Sequence, residues 1–587
     1  MNLFKNNKIL FGAAFLLLAG GFIYGCEDDF LVGEAQGSLD EQTLANQNGV
    51  EGNLIGTYRM LGGGWDGFGL WGTGSSNWIF GGVATDNAYK GSEPGDQGSI
   101  TDIELYNWST GGTDEYVNDK WAALYEGVNR ANSTIRLLDR LLENDPTSVP
   151  EDDANSIRGE ALLLRAYYHF DAWRMWENIP YYFEDDEDFR KTNVDVDVVG
   201  NIINDLNQAI SLLPDEPRNG EVGRVTSWTA RALLGRVQVY SGDHGTALTT
   251  LREVRTSGPY DLEDNFQRVW TGFSDFANGP ETILAFQASS NDGDPNGNNA
   301  NFDMRLAFPH SGSPFGCCGF FQPSQNLVNF FVVDGNGLPL AMTDDTWNDR
   351  DDNLAAGAGV PVDPRLDWTV GRDGVPYKDW GNHESGWIRD RGYGGPYSPK
   401  KHVHEEASGA ESNVGWNATH LNSVNWHLFR YADLLLLLAE AEVEEGSLDN
   451  ALDIVNEIRR RAGAAAQGPG ESADNIAVPI DDPSITWADY SIGEYDSFPN
   501  QDFARQAVRH ERRLELAMEG QRFFDLKRWG IAEEVLNNFL EEEADRRAYL
   551  GGAAAFQERH NRYPIPSFQI DVSRVDGEDR LQQNTGW

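Results

Sequence analysis

The sequence predicts a mainly α-helical fold, a discontinuous helical-repeat scaffold through which a large irregular, loop-rich region with short strands is threaded. Three observations carry that prediction. Apolar residues recur at spacings of three and four, as in Trp121, Leu124, Tyr125, Val128, Ile135, Leu138 and Leu142, which is the pattern of an amphipathic helix. Two segments, about 62–108 and about 260–425, show no sustained period and are dense in Gly, Asn, Asp, Pro and aromatics, a composition typical of loops. The 587 residues are 40% hydrophobic and 11% aromatic, with 18 Trp. Acidic disordered chains are poor in aromatics, so this chain has the material for a packed core despite its formal charge of −47.

The elements follow in chain order. Lys5 and Lys8 flank an apolar run over 9–18, followed by small residues and then Phe22-Ile23-Tyr24-Gly25-Cys26. The run falls short of the roughly 20 apolar residues a membrane span needs but fits a signal-peptide core. Residues 1–25 are therefore expected to be a signal peptide, the alternative being an uncleaved anchor helix; both place the remaining chain, 26–587, outside the cytoplasm. Residues 27–57 read as a tether entering a first helical stretch. Helices are expected from about 110, then over about 155–176, 196–213, 226–241 and 244–256, the second ending near Pro180 because proline cannot continue a helix. Helical pattern returns at 427–463 and about 502–542, so the scaffold occupies about 110–256 and 427–542. Short strand-like pieces at 282–287 and 327–333 punctuate the irregular region, and the end, Arg562-Tyr563-Pro564-Ile565-Pro566, is extended.

Two helix pairs share a turn. Tyr240-Ser241-Gly242 is followed by Ala247-Leu248, and Glu444-Glu445-Gly446 by Ala451-Leu452. Gly, four residues, then Ala-Leu between an apolar and an amphipathic helix resembles the tetratricopeptide repeat, whose small residues let paired helices approach.

The charge excludes function classes. With 46 Lys+Arg against 93 Asp+Glu, the chain lacks the basic surface that nucleic-acid binding requires. It is equally unsuited to adhere to an anionic membrane through its own side chains. Such an excess suits a protein that stays soluble in saline surroundings, where self-repulsion is screened. No G-x-S-x-G elbow, H-E-x-x-H or P-loop is present. Gly67-Phe68-Gly69-Leu70-Trp71-Gly72 satisfies a dinucleotide fingerprint but lacks the strand before it and the helix after it. A glycoside hydrolase stays open as an alternative, because its two carboxylates need no fixed spacing.

A set of ordered motifs resembles the SusD/RagB family of surface nutrient-binding lipoproteins. They are Cys26-Glu27-Asp28-Asp29-Phe30-Leu31, Trp121-Ala122-Ala123-Leu124-Tyr125 with Asn129-Arg130-Ala131-Asn132, and Arg158-Gly159-Glu160-Ala161 running to Arg165-Ala166-Tyr167-Tyr168-His169-Phe170. Arg430-Tyr431-Ala432-Asp433, Glu511-Arg512-Arg513-Leu514-Glu515-Leu516, Gly520-Gln521-Arg522-Phe523-Phe524-Asp525 and the terminal Gln583-Asn584-Thr585-Gly586-Trp587 complete the set. The resemblance implies four tetratricopeptide-like helix pairs carrying a variable ligand-binding region. It also implies a partner, a SusC-like TonB-dependent outer-membrane barrel over which the lipoprotein sits as a lid. The ligand it implies is most often an oligosaccharide, in some members a peptide, and it implies binding without catalysis or a cofactor. Cys26 resembles a lipobox cysteine, which implies cleavage before it and lipid attachment to its thiol, although Tyr24 replaces the usual small residue. Glu27-Asp28-Asp29 resembles a surface-export tag of Bacteroidetes-type bacteria; the alternative is a plain solvated tether.

The irregular segments hold the chemistry suited to sugars. Trp65, Phe68, Trp71, Trp78 and Tyr89 lie in the first, and Trp347, Trp368, Tyr377, Trp380, Trp387, Tyr393 and Tyr397 in the second. Sugar rings present apolar faces bordered by hydroxyls, so flat aromatics beside Asn, Asp and Arg match them. The expected contact set is Trp65, Trp71, Trp78, Asp86, Asn87, Trp347, Trp380, Trp387 and Arg389, with Asn77 as a further polar partner. For any single Trp the competing reading is core packing. Cys317 and Cys318, flanked by Gly316 and Gly319, read as a disulfide or as two free thiols in a turn. Asp292, Asp294 and Asn296 have the oxygen spacing of a calcium loop, with a polar turn as the alternative. His402-Val403-His404 lacks a third ligand at a recognised spacing and reads as a solvated loop. Glu515, Glu519 and Asp525 read as ion pairs with Arg512, Arg513, Arg522 and Arg528 across helix turns. An acidic glycan would need a basic pocket, for which Arg389, Arg391, Lys400 and Lys401 are the cluster in sequence; a neutral glycan fits the charge more easily.

Overall fold

The computed structural model describes residues 41–63, 71–109, 114–310, 312–351, 353–355, 357–415, 418–464 and 488–587. Helices α1 (Gln47–Arg59), α2 (Asp114–Asn144), α3 (Glu151–Trp176), α4 (Val198–Leu212), α5 (Ser227–Tyr240) and α6 (His244–Ser257) each pack on the next in sequence. After the irregular region come α7 (Tyr431–Glu445), α8 (Leu448–Ala464), α9 (Gln501–Glu515), α10 (Arg522–Arg528) and α11 (Ala532–Arg546). Helix α7 packs on α6 and on both α8 and α9, so helices separated by the long irregular segment form one scaffold.

Caps fix where the helices begin. Side-chain oxygens of Asn46, Asp197, Asp243 and Asn500 accept from backbone N–H groups in the first turns of α1, α4, α6 and α9. Thr226 and Thr229 form a reciprocal capping box at α5. Each satisfies a donor that the helix itself leaves open.

Helix α3 is the centre. Every residue from Gly159 to Ala172 is buried, so over this stretch the helix is covered on every side. Its polar residues are matched: Glu160 accepts from Tyr58, Arg218 and Arg224, and Arg165 pairs with Asp205 at 2.7 Å. Asp171 pairs with Lys120 at 2.8 Å and accepts from Asn77 at 3.0 Å. Buried polar groups persist when each finds a partner.

Short strands tie the irregular region to this scaffold. Strand β1 (Ala88–Gly91) pairs antiparallel with β3 (Phe320–Pro323), and β2 (Thr282–Phe286) with β4 (Trp426–Arg430), which runs straight into α7. The piece at 327–333, expected as a strand, is instead largely a short helix, Gln325–Phe330. The Ser324 hydroxyl caps it by accepting from the Leu327 N–H at 3.0 Å. All six helical residues are buried, so neither period shows in the sequence.

Candidate functional site

Much of the expected contact set lies inside the protein. Trp78 has 0% exposure; its indole N–H donates to the Asp303 carbonyl at 3.2 Å and its ring lies between Phe320 and Phe321. It is a core residue, with no face left for a ligand. Asp86 and Asn87 are buried as well. Arg522 holds Asp86 through two bonds of 2.9 and 2.8 Å, and Arg513 reaches Asn87 Oδ1 at 2.9 Å. Burial alone would raise the Asp86 carboxyl, but Arg513 and Arg522 outweigh it and hold it below the ordinary aspartate value. Trp387 is 5% exposed and packs edge-on against Tyr377. Trp347 is half-buried against Phe330, whose ring also carries the Arg513 guanidinium. Arg389 is committed to Glu93 at 2.6 Å and Asp96 at 2.8 Å. Trp65, Phe68 and Cys26 lie outside the described residues.

The remaining two tryptophans, Trp71 and Trp380, mark the ends of a connected strip on the loop region. The Trp71 ring is 5.2 Å from Phe302, and the Arg305 guanidinium covers both rings, at 5.6 and 5.4 Å. Burial lowers the Arg305 guanidinium to about 10, so it is still cationic at neutral pH. Its backbone carbonyl and that of Phe315 both face the His420 ring, and burial brings that imidazole down to about 4. His420 stacks on Phe308 and lies beside Cys318, with Nδ1 4.0 Å from Sγ. Cys317 and Cys318 are joined as a disulfide. From there Phe315 contacts Trp380 at 4.9 Å, and the Trp380 indole N–H donates to the His404 carbonyl at 2.8 Å. Trp71, Phe302, Cys317 and Trp380 are all half-buried. Arg305, Phe315, Cys318 and His420 lie buried beneath them, so what the strip presents outward is a set of partly exposed aromatic faces, the apolar element of a sugar-binding surface.

Phe302, Arg305, Phe315 and His420 were not legible as site residues. The one local hint was the glycine bracket around Cys317-Cys318; nothing in the sequence joins that turn to residue 71 or 420.

The structure also places the remaining expected residues. Lys400 and Lys401 are buried, not a surface basic patch. The Lys400 ammonium donates to the carbonyls of Asp367 and Pro376, and Lys401 to Glu519 at 2.8 Å; desolvation lowers them to about 7 and about 8. Arg391 pairs with Asp373 at 2.9 Å. His402 and His404 are also buried, contrary to a solvated loop. His402 Nε2 meets the Ala307 carbonyl at 2.6 Å, and burial pushes its imidazole to about 3. In the 292–299 turn, Asp292 and Asp294 accept from the backbone N–H groups of Asp294, Asn296 and Asn298. Those oxygens hold the turn's own backbone.

The acids of 511–530 pair mostly across the fold, where neighbouring turns were expected. Arg430 bridges Glu281 at 2.5 Å, Glu515 at 2.7 Å and Glu519 at 2.8 Å, while Arg365 joins Asp363, Glu511 and Glu515. Only Asp525 keeps near partners among those named, Arg512 and Arg528. A separate cleft of about 750 Å³ opens on the helical scaffold, lined by Tyr125, Tyr182, Phe183 and Phe189 with an acidic rim over 184–188.

The model of a family described as the SusD family matches residues 280–587. The chain belongs to the SusD family. A second family model, described as starch-binding associating with outer membrane, matches residues 81–239 of this SusD-family chain. A SusD-like protein of Formosa agariphila is 24% identical, over 91% of this chain and 94% of its own length. Among solved structures, a SusD homolog from Bacteroides thetaiotaomicron aligns with TM-score 0.65 at 20% identity, covering 94% of this chain and 99% of that one. A laminarin binding SusD-like protein aligns with TM-score 0.62 at 22% identity, covering 92% and 100%. Surface glycan-binding protein A from Bacteroides thetaiotaomicron, in complex with laminarihexaose, gives 0.62 at 17% identity, covering 92% and 99%. These likenesses establish the fold. Among the described residues, no helix is long and apolar enough to cross a membrane.

Proposed function

We propose that this protein is a cell-surface lipoprotein that captures a neutral oligosaccharide on the Trp71–Trp380 strip and passes it to a TonB-dependent outer-membrane barrel. The observation that carries the reading is the half-buried aromatic faces at the two ends of the strip, Trp71 with Phe302 and Trp380 over Phe315. Family membership supports it, as do structural relatives described as binding laminarin or holding laminarihexaose. A chain of charge −47 favours uncharged ligands over polyanions. Glu515, Glu519 and Asp525, the acids singled out in sequence, are each tied to arginines and form no free catalytic pair.

The test is a binding screen of the purified chain against neutral and acidic polysaccharides. A neutral glycan is expected to bind, and Trp71→Ala with Trp380→Ala is expected to weaken it by about 1–3 kcal/mol per lost stacking face. Tyr182→Ala, in the helical cleft, serves as control; loss of affinity there with none at Trp71 would move the site. Steady release of reducing ends would replace binding with hydrolysis. Anchoring is tested separately: Cys26→Ser is expected to shift the protein from the membrane fraction to the soluble one.

A further inference from the structure

The turn carrying the disulfide has a third donor that the glycan reading does not use. The sulfurs of Cys317 and Cys318 and a ring nitrogen of His420 lie within 4.8 Å of one another. Among the described residues this is the group of three His, Cys, Asp or Glu side chains with ligand atoms so close. We infer that, once the cystine is reduced, Cys317, Cys318 and His420 bind one thiophilic metal ion of the zinc class.

The geometry supports this beyond proximity. His420 is held on two sides, by Phe308 stacked at 5.4 Å and 8° and by the Phe315 carbonyl 2.9 Å from Nε2. A metal-binding imidazole is commonly oriented by such a bond from its other nitrogen. Nδ1 lies 4.0 Å from Cys318 Sγ, and the Arg305 carbonyl that also faces the ring gives up its contact when the metal takes that nitrogen. Two thiolates and an imidazole suit zinc or monovalent copper, not calcium or magnesium, which prefer oxygen. Zinc binds sulfur at about 2.3 Å and imidazole at about 2.0 Å, so once the S–S bond is broken the two sulfurs must separate to flank an ion beside the His420 ring. Cys318 and His420 are buried while Cys317 is half-buried and Gly316 exposed, which gives an ion a route in and leaves its fourth position to water.

The chemistry balances. The cystine takes two electrons and two protons from an external dithiol, which leaves as its own disulfide; the S–S bond breaks and two S–H bonds form. A divalent ion then displaces both protons and bonds to the two thiolates. The oxidised turn and the metal-bound turn are thus alternative states of one loop, lying between Phe302 and Trp380 in the strip.

The test uses the untagged full chain, oxidised or reduced with a dithiol that is then removed without air, and Zn²⁺ alone as probe. Equilibrium dialysis is expected to show one more Zn²⁺ per chain in the reduced protein than in the oxidised protein or the reduced Cys317→Ser/Cys318→Ser double variant. All three samples carry Cys26→Ser, so Cys317 and Cys318 are the only thiols that change. With Cd²⁺, the reduced Cys26→Ser protein is expected to show thiolate-to-metal absorption that the oxidised protein lacks, a reading independent of how the Cys317→Ser/Cys318→Ser variant folds. His420→Gln should weaken Zn²⁺ by at least about tenfold, since losing even an outer-shell partner of a ligand costs about 10–100-fold. Equal Zn²⁺ uptake by reduced and oxidised protein, or unchanged affinity in His420→Gln, overturns the site.

Discussion

Among single residues, Trp71 and Trp78 separate the two uses to which this chain puts tryptophan. They are seven positions apart in one Gly-rich segment, yet Trp71 is half-buried over Phe302 and Trp78 has 0% exposure against Phe320 and Phe321. Trp78→Ala is expected to lower stability by about 3–5 kcal/mol, the range for a large buried aromatic, read as a shift of the urea midpoint. Trp71→Ala should leave that midpoint nearly unchanged and act on ligand affinity. Equal midpoint shifts would show that the two burial environments had been misjudged. Composition could not make this distinction, because both residues lie in one Gly-rich segment and the difference arises from chain 220 or more positions away. Asp86 and Asn87 show the same limit: their partners are Arg513 and Arg522.

At the level of elements, the two matching turns show how far a local motif can be read. The expected helices over 226–241 and 244–256 are α5 and α6, and the second pair is α7 and α8. The apolar period made α6 and α8 visible, because each buries one face, whereas α5 and α7 are buried nearly all round and read as mostly apolar runs. The two glycines nonetheless serve different ends. Gly242 has φ +82°, a left-handed conformation, with nothing within 4 Å of where a Cβ would stand. Gly446 has negative φ, but a Cβ there would meet Glu442 Oε2 at 2.2 Å. Gly242→Ala is therefore expected to cost about 1 kcal/mol from backbone conformation alone, measured by chemical unfolding. An unchanged midpoint would mean the turn relaxes to another conformation. The helix at 325–330 escaped the same reading because all six residues are buried and carry no one-sided pattern.

At the scale of the whole molecule, charge is divided between a solvated acidic exterior and a buried web of arginines and carboxylates. Burial by itself raises carboxylate values, but Arg461, Arg430 and Arg365 hold Glu515 well below the usual range, and Arg430 with Lys401 lowers Glu519. Arg512 and Arg236 do the same for Asp433. Because these folded-state values lie below the unfolded ones, each group contributes stability that is present above its unfolded value and lost as pH falls through the folded one. In salt sufficient to screen exposed charge, the urea midpoint is expected to hold from about pH 6 to 5 and to fall below about pH 4. A midpoint level down to pH about 3 would contradict the web's role. What the sequence by itself determined was local or summed over the chain: helix positions from apolar period, a strongly acidic chain from its composition, and the family from ordered motifs. What only the tertiary structure decided was which side chains meet. Trp71 reaches Phe302 and Arg305, Cys318 lies beside His420, and Arg430 gathers Glu281, Glu515 and Glu519. Those contacts join loops without period across long stretches of chain, and the burial that sets their chemistry exists only once the scaffold has closed around them.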